Sequence, residues 1–214
     1  MAIYTGAFFN DGAMSRVLDI SVRCQEVGAP PFEDELTRYC RTVEGSSSAS
    51  WSMPLSAVAA MLDLASTLPA DTAPAGFTAK LERAAGEQSG PDFLRLVAQM
   101  IRVLGRHPLP DFQTLPMSPW EIKVKFPRLY HFSAWVSWGI YDSLAEGIQE
   151  GVESEHPDCH EFLPALAGEL QEALILFPDS EQMKTALKPG IDWACADTFR
   201  DVLRRVNEHI AEQH

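Results

Sequence analysis

Apolar residues recur three or four positions apart along almost the whole chain, which places them on one face of an α-helix. Prolines, of which the sequence has 15, divide this pattern into short segments, because a proline inside a helix removes a backbone hydrogen bond and clashes with the preceding turn. No stretch shows the sustained alternation or the clusters of β-branched residues that are typical of strands. We therefore predict an all-α fold, an irregular multi-helix globular bundle of about seven to nine helices.

Three segments carry clear helix signals. Pro91 stands at a favoured first helical position, and the apolar stripe that follows it ends at Gly105. Residues 192–212 keep the helical spacing of apolar side chains up to the C-terminal end. Ser118, with Glu121 three positions later, matches the capping box that begins a helix. We expect a helix at each of these places.

The segment from Pro127 to Gly151 predicts one long helix. Its main apolar stripe comprises Leu129, Phe132, Val136, Ile140, Leu144 and Ile148. Trp135 and Trp138 widen this stripe until the first half is apolar nearly all round, which is typical of a central, buried helix. We expect most of these aromatic side chains in the core, although part of them could anchor an interface, where Trp and Tyr dominate the energetics.

Prolines are densest between Gly105 and Pro119. Pro108, Pro110, Pro116 and Pro119 exclude a regular helix here and favour extended backbone. Two arrangements fit this segment. Residues 108–119 form either a connector between an N-terminal helical half, 1–107, and a C-terminal helical half, 120–214, or a strap laid over one continuous domain.

The charge is distributed unevenly along the chain. The net charge is −13, from 17 Lys and Arg against 30 Asp and Glu. Residues 129–183 hold 11 of these acids and neither Lys nor Arg. Six of the acids lie close together, at Glu146, Glu150, Glu153, Glu155, Asp158 and Glu161. Several of them would lie near the C-terminal end of the long helix, where the helix dipole favours cations, so local stability does not explain them.

The acidic segment suggests a surface that meets a partner, because a concentrated charged patch speeds encounter and selects for opposite charge. We therefore predict a non-enzymatic interaction protein, such as an inhibitor, an immunity-like antagonist or an adaptor, that docks a basic partner protein through carboxylates in 142–161. If that partner normally binds nucleic acid, the carboxylates would stand where phosphates sit.

Two simpler explanations compete with docking. In the first, the carboxylates only keep a helix face solvated. In the second, they pair inside the fold with cations around the proline-rich segment. Those cations are Arg95, Arg102, Arg106, Lys123, Lys125 and Arg128. The sequence alone leaves these alternatives open.

A different hypothesis is a metal-dependent all-α enzyme that uses the region of His156, Asp158, His160 and Glu161, since imidazoles and carboxylates bind zinc and other transition metals. The spacing fits poorly, because His156 and His160 share a helix face only if Pro157 is the first helical residue. Cys159 and His160 are sequence neighbours and would point in different directions on a helix. We therefore expect no catalytic residue, metal or cofactor. A further alternative is a structural subunit that self-assembles through apolar helices.

Other classes are disfavoured by composition. Nucleic-acid binding needs Lys and Arg against phosphates, and an anionic membrane surface would repel this chain. No apolar run approaches the roughly 20 residues of a membrane span, and the N-terminal sequence lacks a signal-peptide pattern. The four cysteines are scattered without a CxxC pair, which indicates buried reduced thiols. We expect a cytoplasmic protein that contacts neither nucleic acid nor membrane directly.

Overall fold

The computed structural model describes residues 12–46, 53–69, 72–137 and 140–213, and Trp138 lies outside these ranges. Within them the chain is all-helical, as the sequence predicts, and contains no strand. The chain divides into two compact units, Met1–Pro110 and Asp111–His214. The division into halves at the proline-rich segment 108–119 stays a prediction. None of the helices in the described ranges combines the length and apolar character that crossing a membrane requires.

The first unit has five helices in its described residues. They are α1 Ala13–Arg23, α2 Phe32–Gly45, α3 Leu55–Thr67, α4 Ala75–Ala85 and α5 Gly90–Leu104. Helix α5 begins as predicted, with Pro91 in its first turn and the Ser89 hydroxyl accepting a hydrogen bond from the Asp92 N–H. Phe93, Leu94, Val97 and Ile101 of its apolar stripe are buried, whereas Leu96 is 44% exposed. Arg102 of α5 forms an ion pair with Asp63 of α3.

The second unit has six helices in its described residues. They are α6 Pro119–Lys125, α7 Pro127–Val136, α8 Leu144–Glu153, α9 Cys159–Leu176, α10 Ser180–Leu187 and α11 Ala196–Gln213. Ser118 caps α6 as predicted, because its hydroxyl accepts a hydrogen bond from the Glu121 N–H. Helices α9 and α11 pack together around a core that includes Phe126, Phe132 and Phe199. This core positions both α8 and the turn that joins it to α9.

The predicted number of helices is wrong, since eleven helices occupy the described residues. The break between the helix predicted at Ser118 and the one predicted from Pro127 lies at Phe126, whose φ of −128° and ψ of 63° end α6 directly before Pro127 starts α7. An additional break divides the predicted long helix, because α7 ends at Val136 and α8 begins only at Leu144.

The start of α8 is specified by a capping box. The Ser143 hydroxyl accepts a hydrogen bond of 3.2 Å from the Glu146 N–H. In return, Glu146 Oε2 accepts one of 2.8 Å from the N–H of Asp142. A serine followed three positions later by a glutamate is the same signal that marks α6 at Ser118. The helical spacing of apolar residues on both sides of this signal makes the two helices look continuous in sequence.

Helices α7 and α8 pack closely together, and two glycines permit the contact. A Cβ at Gly151 would lie 2.8 Å from Phe132 Cε2, and a Cβ at Gly147 would lie 3.2 Å from the carbonyl oxygen of Val136. The prediction that Ile140 and Leu144 continue the buried stripe is wrong, because their side chains are 70% and 41% exposed. The break between the helices moves both residues away from the core.

Of the four cysteines, only Cys40 and Cys159 are buried. Cys24 and Cys195 are half-buried, so the prediction of buried thiols is wrong for these two. Cys24 follows the last residue of α1, and Cys195 precedes the first residue of α11. Both therefore lie at helix ends, where the chain comes to the surface.

Candidate functional site

Three of the predicted docking residues share the outer face of α8. Glu146, Glu150 and Glu153 are four and three positions apart, which aligns them along one side of a helix. All three are exposed. The opposite side of α8 is buried against the core through Gly147, Ile148, Gly151 and Val152.

The other three predicted residues follow directly in the chain. Glu155 and Asp158 lie in the turn between α8 and α9, and Glu161 lies in the first turn of α9. Asp158 and Glu161 are exposed, whereas Glu155 is half-buried. We call the six carboxylates of α8 and this turn the α8–α9 acidic corner; its members are Glu146, Glu150, Glu153, Glu155, Asp158 and Glu161.

None of the described Lys and Arg side chains forms an ion pair with a carboxylate of the acidic corner. Arg204 of α11 binds Asp201 and Glu208, both at 2.6 Å. Its neighbour Arg205 binds Asp201 at 2.9 Å and donates to Gln149 Oε1 at 2.5 Å. These arginines line a cleft with Glu153, but their charge is directed at carboxylates of their own helix.

The later carboxylates of the acidic segment are used inside the fold. Glu169 and Glu172 of α9 contact α7 and α6, where Glu172 pairs with Lys125 at 2.7 Å. Asp179 caps α10 by accepting hydrogen bonds from two backbone N–H groups. Glu181 pairs with Lys184 at 2.9 Å. Internal pairing with the cations around the proline-rich segment, one of the two competing explanations, therefore applies to Glu172 and not to the acidic corner.

The cations suggested for internal pairing have several different partners. In the first unit, Arg95 binds Asp92 at 2.5 Å and Arg102 binds Asp63. In the second unit, the Arg128 guanidinium lies 5.2 Å from the centre of the Phe162 ring. Among the described residues, Lys125 is the one member of the group that pairs with the acidic segment.

Glu169 occupies a half-buried position at the start of α7. Its carboxylate accepts hydrogen bonds from the backbone N–H groups of Arg128, at 3.1 Å, and Leu129, at 2.8 Å. Burial raises the pKa of Glu169 above its ordinary value, and the two backbone hydrogen bonds and Arg128 oppose that change. The carboxylate supplies the cap that Phe126 cannot provide.

Apolar and aromatic groups border the acidic corner. Ile140 and Leu144 are exposed, and the Tyr141 ring lies 5.4 Å from that of Trp135, centre to centre. Partial burial, followed by the negative charges of Glu150 and Glu146, raises the pKa of Tyr141. Glu146 and Glu150 therefore lie close enough to Tyr141 to affect its ionisation.

A cluster of possible metal ligands lies beside the corner. One ligand atom each from His156, Cys159 and His209 lies within 4.8 Å of the other two. Cys159 Sγ is 3.9 Å from His156 Nδ1, and the two imidazole rings meet at 74° with centres 6.1 Å apart. Asp158, His160 and Glu161, which the sequence hypothesis joined to His156, are not members of this cluster. His209 was missed because it is distant in sequence, on α11, and carries no motif of its own.

Comparison with family models, with curated proteins and with solved structures finds no match to this chain.

Proposed function

We propose that this chain is a non-enzymatic interaction protein that docks a basic partner protein through the α8–α9 acidic corner. The observation that carries the proposal is a difference in use between two parts of one acidic segment. Carboxylates at 169–181 cap helices or pair with lysines. The six of the corner form no ion pair with a described Lys or Arg residue. Within the corner, Glu146 caps α8, Glu153 accepts a hydrogen bond from Gln149, and Glu155 is half-buried.

The apolar residues beside the corner support docking over simple solvation. A solvated helix face needs no exposed aliphatic side chains, but Leu144, the first residue of α8, and Ile140, four positions before it, are both exposed. Interfaces commonly combine an apolar anchor with a polar rim. We propose Ile140, Leu144 and Tyr141 as the anchor and the carboxylates as the rim.

The charge of the corner sets the kinetic signature of such a complex. Complementary charge raises association rates by about 10- to 1,000-fold at low ionic strength and contributes less to the lifetime of the complex. At about 0.15 M salt the screening length is about 8 Å, so added salt should slow association strongly. The partner presents Lys and Arg, as nucleic-acid-binding proteins do, and an inhibitor, immunity-like antagonist or adaptor would act in the cytoplasm by covering that surface.

Affinity capture from native lysate at low and high salt tests the proposal. The bait is the full chain, compared with the triple variant Glu150→Lys, Glu155→Lys and Glu161→Lys. This variant spares Glu146, which caps α8, and Glu153, which bonds Gln149. We expect the wild type to capture basic proteins at low salt, and the triple variant to lose them.

A matched control reverses three exposed acids of the first unit, Glu26, Glu82 and Glu87, to lysine. Both triple variants change the net charge equally, so the control separates the corner from overall charge. Retention of the same proteins by the corner variant, or their equal loss from the control, would contradict the proposal. Capture that does not weaken in salt would also contradict it.

A further inference from the structure

We infer that His156, Cys159 and His209 form a binding site for a zinc-type divalent metal ion. The inference rests on the cluster alone, and it does not depend on the docking proposal. His156 lies in the turn between α8 and α9, Cys159 is the first residue of α9, and His209 lies in the last turns of α11. The ion would therefore join two parts of the second unit that are about 50 residues apart in sequence.

The distances approach those of tetrahedral zinc. With Zn–S of about 2.3 Å and Zn–N of about 2.0 Å, tetrahedral angles place a sulfur about 3.5 Å from a ligating nitrogen. Cys159 Sγ and His156 Nδ1 are 3.9 Å apart, and no pair of ligand atoms in the cluster exceeds 4.8 Å.

An unsatisfied polar atom accompanies the cluster. His209 Nε2 is buried, and it has no hydrogen-bond partner within the described part of the chain. A buried polar atom normally has a partner, and a bound ion is one explanation when the protein offers none. Metal ligation requires each imidazole to present one nitrogen to the ion, while the other can bond elsewhere.

The surroundings leave room for a further ligand. His156 and His209 line an open cleft of about 430 Å³, and Cys159 is buried next to them. Glu153 and Glu212 line the same cleft. Arg204 and Arg205 also line the cleft, but they form ion pairs with Asp201 and Glu208. Water or the carboxylate of Glu153 or Glu212 can occupy a fourth position. Three protein ligands with an open fourth position differ from a closed structural zinc site, which has four.

The ligand chemistry selects the kind of ion. One thiolate and two imidazoles suit zinc and other first-row transition metals, whereas calcium and magnesium prefer oxygen ligands. Binding requires the thiolate, so the Cys159 S–H proton leaves as the metal–sulfur bond forms, and no oxidation or reduction takes place. Because the ion ties the turn before α9 to α11, it should stabilise the second unit in proportion to its affinity.

Cobalt titration of the full, untagged chain tests the site, because tetrahedral Co²⁺ reports its ligands by colour. We expect one equivalent of Co²⁺ to produce visible d–d bands and a near-ultraviolet thiolate-to-cobalt band. One equivalent of Zn²⁺ should remove both and should raise the melting temperature. His209→Asn and His156→Asn should each weaken binding by more than about 100-fold, because even residues around a metal's direct ligands alter affinity by about 10- to 100-fold.

His160→Asn is the matched control, because it removes an exposed imidazole adjacent to Cys159 that is not a member of the cluster. This variant should retain the colour and the affinity of the wild type. Cys159→Ser should lose the thiolate band. If it does not fold by circular dichroism, the two histidine variants still decide the result. The inference is overturned if the wild type gains no thiolate band, or if His209→Asn binds as tightly as the wild type.

Discussion

The backbone N–H of Leu129 donates a 2.8 Å hydrogen bond to Glu169 Oε2, across 40 positions of sequence. The other carboxylate oxygen accepts from the N–H of Arg128 at 3.1 Å. A side chain of α9 thereby caps the first turn of α7. The residue before α7 is Phe126, whose side chain offers no acceptor. This carboxylate of the acidic segment therefore stabilises the start of α7.

Replacing Glu169 with Ala should lower the free energy of unfolding by about 1–2 kcal/mol, the usual cost of losing a helix cap. Both N–H groups would lose their acceptor. Urea unfolding followed by circular dichroism measures the change. Glu172→Gln is the control, because it removes an ion pair whose carboxylate is half exposed, and it should cost no more than about 1 kcal/mol. Equal losses in both variants would contradict the capping role.

The same carboxylate should affect stability in a pH-dependent way. Burial raises the pKa of Glu169, so the folded chain holds this proton more tightly than the unfolded chain. Its stabilising effect is therefore fully present below the unfolded pKa and is lost as the pH rises through the folded pKa. Relative to Glu169→Gln, the wild type should be more stable at about pH 4 than at about pH 7. A pH-independent difference in unfolding free energy would show that burial does not dominate.

Gly151 should tolerate no larger side chain. A Cβ there would meet Phe132 Cε2 at 2.8 Å, so Gly151→Ala should force α8 away from α7 and should cost about 1–3 kcal/mol. Gly168→Ala provides the matched control in α9, because nothing lies within 4 Å of its Cβ. That change should stabilise the helix by about 0.5–1 kcal/mol. Thermal unfolding measures the melting temperature of both variants. Shifts of the same sign would contradict the close contact between α7 and α8.

Cys195 should be the most reactive thiol. The Ser180 hydroxyl, 3.3 Å from its sulfur, and backbone N–H groups of the first turn of α11 lower the pKa of Cys195. Burial instead raises the pKa of Cys40 to about 12. Because the thiolate is the nucleophile, alkylation by iodoacetamide at neutral pH should modify Cys195 at least about 10-fold faster than Cys40. Peptide mass spectrometry over time measures both rates.

Ser180→Ala separates the hydroxyl from simple exposure. This variant leaves Cys195 accessible but removes the hydrogen bond that lowers its pKa. Its alkylation should therefore slow, with the rate at Cys24 unchanged. Burial and Glu35 raise the pKa of Cys24. Equal reaction rates of Cys24 and Cys195 in the wild type would therefore contradict the activation of Cys195 by Ser180 and the start of α11.

The sequence predicts those helices whose signals are local. The stripe of α5 and the cap at Ser118 depend on residues within a few positions, and both predictions are confirmed. The capping box at Ser143 was equally visible, but the helical spacing from Leu129 to Ile148 masks the break. The spacing of apolar residues indicates which face of a helix is buried. The same spacing can continue across two helices, so it does not show where one ends and the next begins.

The contacts between distant segments lay beyond sequence reasoning. The hydrogen bonds of Glu169 to the start of α7 and the approach of His209 to Cys159 depend on how α9 and α11 pack. Neither Glu169 nor His209 lies in a sequence motif that predicts its partner. The position of the acidic residues was readable, but the separation between capping carboxylates and outward ones required the fold.

The close packing of α8 on α7 has a consequence for how this surface can change over generations. Gly147 and Gly151 commit one side of α8 to the interior, and the residues that face away from it have no part in that contact. Mutations at positions such as Glu150 can therefore accumulate at little thermodynamic cost. The binding specificity of this surface could therefore change during evolution while the fold is retained.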